Sequence, residues 1–341
     1  MSGFRRTLAV LGIVVAACSH SRADNPAPPR HARSTRPLPS QVVTEAPSQP
    51  SRGLEQKISR GDAAVLGVVE GLTEYLPVSS TGHLILASHY MGLSTFSQER
   101  GPFGRKIQKG DAIDAFEIVI QFGAVLAVLG LYRRRVGEMC AGLVGRNKAG
   151  LRLFLLLLVA FLPAAAVGLV LNGPIKQYLF APIPVIIALA VGGVLMIVVE
   201  WLVRCRSKTA PRTALDNMLF RQAMIVGLAQ CLALWPGTSR SMITILSALV
   251  VGLDMVSAAE FSFLLALPTL GAATIFEAAK HSHALTRAAG VDGLLIGLVL
   301  SGVVAALAVK GFVKWLTRHG LMPFGVYRLL LAAAVLLYFC L

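Results

Sequence analysis

Six stretches of this chain are apolar for long enough to cross a bilayer: residues 112–132, 153–172, 182–203, 258–280, 292–314 and 324–341. About 20 helical residues span the roughly 30 Å of hydrocarbon, and in lipid each backbone N–H and C=O must be satisfied inside the protein. These runs commit the chain to an all-α polytopic membrane protein. Mean hydropathy is +0.69, and 55% of the 341 residues are hydrophobic against 14% charged, which excludes a soluble domain. A net charge of +15 would suggest nucleic acid in a soluble protein. Here the arginines sit in loops and in the N-terminal tail, as orientation signals and anionic-lipid contacts, so no nucleic-acid partner is expected. The five cysteines, Cys18, Cys140, Cys205, Cys231 and Cys340, show no paired spacing, so neither a disulfide framework nor a zinc site is indicated.

Two further apolar stretches are broken. Residues 63–76 would make about 21 Å of helix before Pro77, which lacks an N–H and clashes with the preceding turn, so this run is too short to cross. After "PVSST" the apolar character resumes from His83, the pattern of a hairpin that enters and leaves by one face. Residues 221–253 repeat the plan around "PGTSRS". Setting Pro77 on Pro236 aligns "LPVSSTGH" with "WPGTSRSM", and each hairpin is followed by an acid that opens a long helix, Glu117 and Glu260. The chain thus divides into halves, about 61–204 and 205–341, each one re-entrant helical hairpin plus three transmembrane helices. Three crossings are an odd number, so the halves form an inverted-topology repeat. Loops 132–152 and 204–221 are strongly basic whereas 173–181 holds only Lys176, which puts the basic loops in the cytoplasm. Segments 92–111 and 281–291 are then outside, and the first hairpin dips in from the outer face.

The first sixty residues differ from the rest. "MSGFRRTLAVLGIVVAAC" has a basic start, a short apolar core and small residues at its end, an export signal assigned to 1–22. Its "VAAC" resembles the lipobox at which bacterial lipoproteins are acylated, here at Cys18. From 23 to 60 the chain is rich in Pro, Ser and Arg with little to bury, so a disordered tail is expected, with the functional domain at 61–341.

The breaks carry the chemistry. Glu70 and Glu74, at i and i+4, share a helix face where like charges repel. Burial sharpens the conflict unless a proton, a metal or a cation faces the pair. A polar stripe along a water-filled vestibule is the plainer alternative. Ser79, Ser80 and Thr81 precede the helix that starts near His83, where unpaired N–H groups attract anions, although Ser or Thr there often serves only as an N-cap. Arg240, between Ser239 and Ser241 at a mid-membrane helix start, has the donors for bidentate phosphate capture. A snorkelling arginine is the alternative, but this position is far from either surface. Together these residues ask for an anionic, oxygen-rich ligand. A diphosphate suits Arg240 and the N–H groups; the glutamates would repel it unless Mg²⁺ or Ca²⁺ bridges carboxylate and phosphate oxygens, or one glutamate stays protonated as a general acid.

At these residues the chain resembles the undecaprenyl-diphosphatase (bacitracin-resistance) family. "LGVVEGLTEYLPVSSTGH" and "QCLALWPGTSRS" match its two signature segments almost position by position, and the resemblance runs from about 62 to 341. It implies a re-entrant, inverted-repeat fold in the bacterial inner membrane and a reaction that releases phosphate from a lipid diphosphate. The product is the carrier monophosphate for cell-wall peptidoglycan synthesis. The resemblance also implies that Glu70 and Glu74 serve metal binding or acid/base work, that Ser80 and His83 sit at the chemistry, and that Arg240 holds the diphosphate. Ser79, Thr81, Ser239 and Ser241 are expected as further substrate contacts. The chain departs from the family at Met242, where Gly is usual, which bears on how closely the second hairpin packs.

Other residues are less specific. Glu117 and Glu260 could complement helix dipoles as readily as serve a site. His281 and His283 form a weak metal motif in an outer loop, and Arg328 reads as an interfacial anchor. Two classes of function fit. A membrane phosphatase needs an attacking oxygen in line with phosphorus and neutralisation of charge, which Ser80 or water, His83, Arg240 and a metal would provide. A lipid-phosphate flippase would use the same repeat without a nucleophile. The hydroxyl and histidine beside the glutamate pair favour hydrolysis. The expected partners are a polyprenyl diphosphate lipid and the bilayer, with a homodimer left open.

Overall fold

The computed structural model describes residues 57–101, 104–109, 111–206 and 212–340. The expected export signal, Cys18 and the tail as far as residue 56 fall outside the described residues. In chain order the elements are α1 (Arg60–Thr73), α2 (Ser80–Tyr90), β1 (Ser94–Gly101), β2 (Gly104–Lys109), α3 (Asp111–Leu131), α4 (Arg133–Leu143), α5 (Lys148–Leu179), α6 (Pro182–Arg206), α7 (Phe220–Gln230), α8 (Arg240–Val250), α9 (Met255–His319) and α10 (Met322–Cys340). Every apolar element is helical, as the hydropathy requires. The two strands form an antiparallel hairpin within segment 92–111, which the sequence reading treats only as an outer loop; Ser94 faces Lys109 and Gly101 faces Gly104. Helix α1 opens with a capping box in which Ser59 Oγ accepts from the Asp62 N–H at 3.1 Å and Asp62 accepts from the Ser59 N–H at 3.0 Å. Ile58 is already buried, so packing begins a few residues before 61.

Five helical segments are long and apolar enough to cross a membrane: Ile113–Leu131, Lys148–Leu171, Pro182–Cys205, Met255–Ile275 and Ala289–His319. The shorter apolar helix Met322–Leu337 corresponds to the sixth expected run. The last two long segments both belong to α9, yet α9 is no straight rod. Phe263 and Phe312 would be about 74 Å apart along a continuous helix, whereas their ring centroids are 6.1 Å apart. The run therefore folds back on itself, and Gly290, at φ +65°, lies at the start of its second limb.

In lipid no hydrophobic force drives helices together, so close contact depends on small residues. A Cβ on Gly71 of α1 would meet the Ser301 carbonyl oxygen at 2.4 Å, and one on Gly123 of α3 the Leu298 carbonyl oxygen at 2.2 Å. The backbones of α1 and α3 thus lie directly on the second limb of α9. This contact fixes α1, which carries both glutamates. Outward, Ile183, Ile187, Val191, Val194 and Val198 on α6 and Leu295, Val299, Val303 and Leu307 on α9 are exposed at helical spacing, the stripes that lipid covers.

The two breaks share one backbone device. Ser79 caps α2 at φ 74°, ψ 100°, and Ser239 caps α8 at φ 73°, ψ 114°. They are the only non-glycine residues of positive φ among the described residues. They stand 160 positions apart, and so do the starts of α1 and α7. On the offset of the two serine caps Pro77 corresponds to Gly237, one residue away from the alignment of Pro77 on Pro236. Proline only ends the first helix of each unit, whereas the strained serine cap is the feature that the backbone repeats.

Candidate active site

Glu74 is the C-cap of α1 and the centre of the site. Its Oε2 accepts the Ser80 hydroxyl at 2.6 Å and the Gln121 amide at 3.2 Å. Its Oε1 accepts Arg240 Nη2 at 2.9 Å, an ion pair with side chains 11% and 5% exposed. One carboxylate thus ties the hydroxyl of the first hairpin to the guanidinium of the second. Arg240 is held from two more sides: Nη1 donates to the Ser262 carbonyl at 3.0 Å, and its guanidinium carbon lies 5.6 Å from the centre of the Tyr75 ring. A planar fork held this way presents a fixed edge to an anion.

Ser79 and Ser80 have different duties. Ser79 Oγ accepts the Gly82 N–H at 3.3 Å and so caps α2, while Ser80 points back to Glu74. Thr81 follows, half-exposed in the first turn. His83 turns away from the serine. Its Nδ1 is 2.7 Å from the Ser79 carbonyl, which can only accept, so that nitrogen carries the proton. Its Nε2 is then left to accept the Tyr327 hydroxyl at 2.6 Å, and the two rings stack with centroids 5.8 Å apart. Both ring nitrogens are engaged. His83 buttresses the loop, and the base within reach of the Ser80 hydroxyl is Glu74.

The second tip is locked to the first. Ser239 Oγ accepts the Met242 N–H at 3.3 Å, capping α8, and Ser241 Oγ donates to the Leu76 carbonyl at 3.0 Å. Thr244 and Ser262 share a hydrogen bond of 2.6 Å, which steadies the carbonyl that holds Arg240. Met242 is fully buried, and a Cβ on Gly192 would stand 2.8 Å from its sulfur. The Met242 side chain is therefore accommodated by a glycine across the contact. Arg328 corrects the expectation of an interfacial anchor. It is 0% exposed and donates to the Ala188 and Gly237 carbonyls at 2.9 Å each and to the Leu189 and Pro77 carbonyls at 3.3 Å each. An arginine can satisfy four carbonyls only where several chain breaks converge, which is why it is here and not at the surface.

Glu70 stands one turn before Glu74, fully buried, with no hydrogen-bond partner for either oxygen among the described residues. A bare buried carboxylate is costly unless a proton or a cation compensates it. Two neighbouring carboxylates, one of them orphaned, suit a hard cation whose remaining ligands are water and ligand oxygens. Among the described residues no three His, Cys, Asp or Glu side chains converge as a complete metal cage. Glu117 accepts the Ser88 hydroxyl at 2.6 Å on the adjoining face. Glu260 is drawn elsewhere, to Arg135 Nε at 2.9 Å, and Arg135 also reaches Asp216 at 2.8 Å. The side chains of His281 and His283 fall outside the described residues. Sequence reasoning did not single out Gln121, Ser262, Thr244 or Tyr327. Gln121 could have been found, since it follows Glu117 by one helical turn in an otherwise oily helix; Tyr327 gives no such signal.

The family model described as "Bacitracin resistance protein BacA" matches residues 63–334. An "Undecaprenyl-diphosphatase" of Sorangium cellulosum is 49% identical over 81% of this chain and 85% of its own length. Proteins of the same name from Wolinella succinogenes and Rhizorhabdus wittichii are 42% and 43% identical, over 81% and 80% of this chain and 96% and 95% of their own lengths.

Proposed function

The chain belongs to the bacitracin resistance protein BacA family, and from that premise we propose that it hydrolyses undecaprenyl diphosphate to undecaprenyl phosphate and inorganic phosphate. It is a membrane-embedded hydrolase, and its relatives carry the name of that activity. The observation that carries the reading is Glu74 held between Ser80 of one hairpin and Arg240 of the other.

Ser80 Oγ attacks the distal phosphorus. The Oγ–P bond forms as the bridging P–O bond breaks, and the bridging oxygen leaves with the electron pair as undecaprenyl phosphate. The Ser80 proton passes to Glu74 Oε2, 2.6 Å away. Arg240 gathers the charge that builds on the transferring phosphoryl oxygens. Water then attacks the phosphoserine, Glu74 returns its proton to the departing Ser80 oxygen, and phosphate is released. Ser79 and Ser239, as caps, orient the N–H groups that open α2 and α8 toward the anion, with Thr81 and Ser241 beside them. Glu70 and Glu74 would hold Mg²⁺ or Ca²⁺ together with substrate oxygens. Such an ion, when bound, neutralises the diphosphate charge that the carboxylates would otherwise repel.

The loop charges support an inner-membrane orientation with the two halves inverted and the site open to the outer face, where it would salvage carrier lipid released from cell-wall assembly and confer bacitracin resistance. The test is phosphate release from detergent-purified protein given a polyprenyl diphosphate, with and without EDTA. Release that stops in EDTA and returns with Mg²⁺ or Ca²⁺ is expected. Transbilayer movement of intact diphosphate with no phosphate release would overturn the reading in favour of a flippase.

A further inference from the structure

Arg240 has a second side. Its Nη atoms face Glu74 and Ser262, but its Nε is buried without a partner among the described residues. Arg240 also lines a cavity of about 230 Å³ with Phe161, Ala165, Gln230, Ala233 and Leu270. Gln230 is 3% exposed, and neither its amide oxygen nor its amide nitrogen has a hydrogen-bond partner among the described residues. Leaving both ends of a buried amide unmade is expensive, and native proteins rarely do so without a water, an ion or a ligand to meet them. Gln230 also stands 160 residues after Glu70, the spacing that relates the two serine caps. The same station thus carries an orphaned carboxylate in one hairpin and an orphaned neutral amide in the other. Beside an Arg240 that Glu74 already pairs, an amide offers a donor without adding a second negative charge, which an acid at this place would do.

We propose that this cavity is the subsite for the lipid-linked phosphate and the first isoprene units of the substrate, with Gln230 and Arg240 at its polar end. The inference rests on the diphosphatase reading and names which part of the substrate goes where. The distal phosphoryl group meets Ser80 and Glu74 on one side of the guanidinium, and the phosphate that leaves with the lipid is held on the other. The remaining walls are mostly apolar, as the α-end of a prenyl chain requires. The volume is below the roughly 300–1,000 Å³ of pockets that enclose whole small ligands, so the cavity takes the head of the lipid and leaves the tail in the bilayer.

The experiment compares wild type with Gln230→Leu and Ala233→Phe in detergent, using farnesyl diphosphate, inorganic diphosphate and farnesyl monophosphate. Gln230→Leu should raise KM for farnesyl diphosphate about tenfold, with a smaller effect on kcat, because a hydrogen bond to a charged group is lost. It should also weaken inhibition by farnesyl monophosphate by a similar factor. In ligand-free protein the same variant should have a higher Tm than wild type, since two unsatisfied polar atoms are removed, an outcome opposite to that of a structural glutamine. Ala233→Phe, which fills the cavity, should raise KM for farnesyl diphosphate more than for inorganic diphosphate, which has no isoprene unit to place there. Wild-type KM in both variants, or a lowered Tm in Gln230→Leu with KM intact, would overturn the subsite. Thermal protection by farnesyl monophosphate tests it separately from catalysis: a wild-type enzyme that releases no phosphate sinks the diphosphatase reading, while equal protection of wild type and Gln230→Leu sinks the subsite.

Discussion

Arg240 and Glu74, 166 residues apart in sequence, form an ion pair of 2.9 Å in the interior of the fold. The second oxygen of that carboxylate holds Ser80 at 2.6 Å, so any motion of one hairpin against the other is felt at the hydroxyl. A desolvated pair of this kind is favourable only when its geometry is kept, and the clasp of Arg328 on both tips keeps it.

Ser80→Ala separates two mechanisms. With Ser80 as nucleophile, phosphate release should fall on the order of a thousandfold. If Ser80 only donates a hydrogen bond while water attacks, about a tenth of the activity should remain, since one neutral bond contributes about 1 kcal/mol. Retention near wild type in a phosphate-release assay rules out the covalent route.

Arg240→Lys keeps the charge but not the fork that reaches Glu74 and the Ser262 carbonyl together. A loss of about a hundredfold in kcat/KM is expected. An unchanged rate and affinity in Arg240→Ala would remove the diphosphate from this hairpin.

Glu70→Gln removes an orphaned buried carboxylate. The variant should lose most of its turnover and its response to added Mg²⁺ or Ca²⁺, with Tm equal to or above that of the metal-free wild type. Full activity of this variant in EDTA would contradict the proposed role of Glu70.

Gly71→Val places a Cβ where the Ser301 carbonyl oxygen would be 2.4 Å away. Helix α1 must then move off α9, at a cost of about 1–3 kcal/mol or more. Thermal unfolding in detergent should show a lowered Tm, with activity falling alongside because α1 carries both glutamates. A variant with wild-type Tm would show that the two backbones do not touch as described.

Arg328→Met leaves four buried carbonyls, on Pro77, Gly237, Ala188 and Leu189, without their donor. The Pro77 and Gly237 carbonyls lie outside any helix and each cost about 1–3 kcal/mol when left without a donor, so the expected outcome is a large fall in Tm. Arg328→Lys should recover only part of it, because an ammonium cannot span the same four acceptors. An interfacial anchor would lose little in either variant, so comparing the two melts decides between the roles.

Sequence by itself determined the class of fold and the chemical character of the site. Hydropathy sets helices because lipid leaves a backbone no other partner, and the prolines and hydroxyls in two interrupted runs mark where polar groups collect inside the membrane. Glu70, Glu74 and Arg240 stood out as candidates because an ionisable group in an oily run needs a reason, and Ser80 because it lies in the break beside them. Tertiary structure decided which of these residues meet. It gave the Ser80 proton a carboxylate partner rather than His83, drew Glu260 out to Arg135, and took Arg328 from the surface to the join between the hairpins. It also set the register of the two breaks by their serine caps, a backbone dihedral that no residue type announces. The reason is physical: composition and periodicity fix what each segment must bury, whereas hydrogen-bond partners 100 or more residues away depend on helix contacts at van der Waals distance, such as Gly71 on Ser301, which only the packed chain defines.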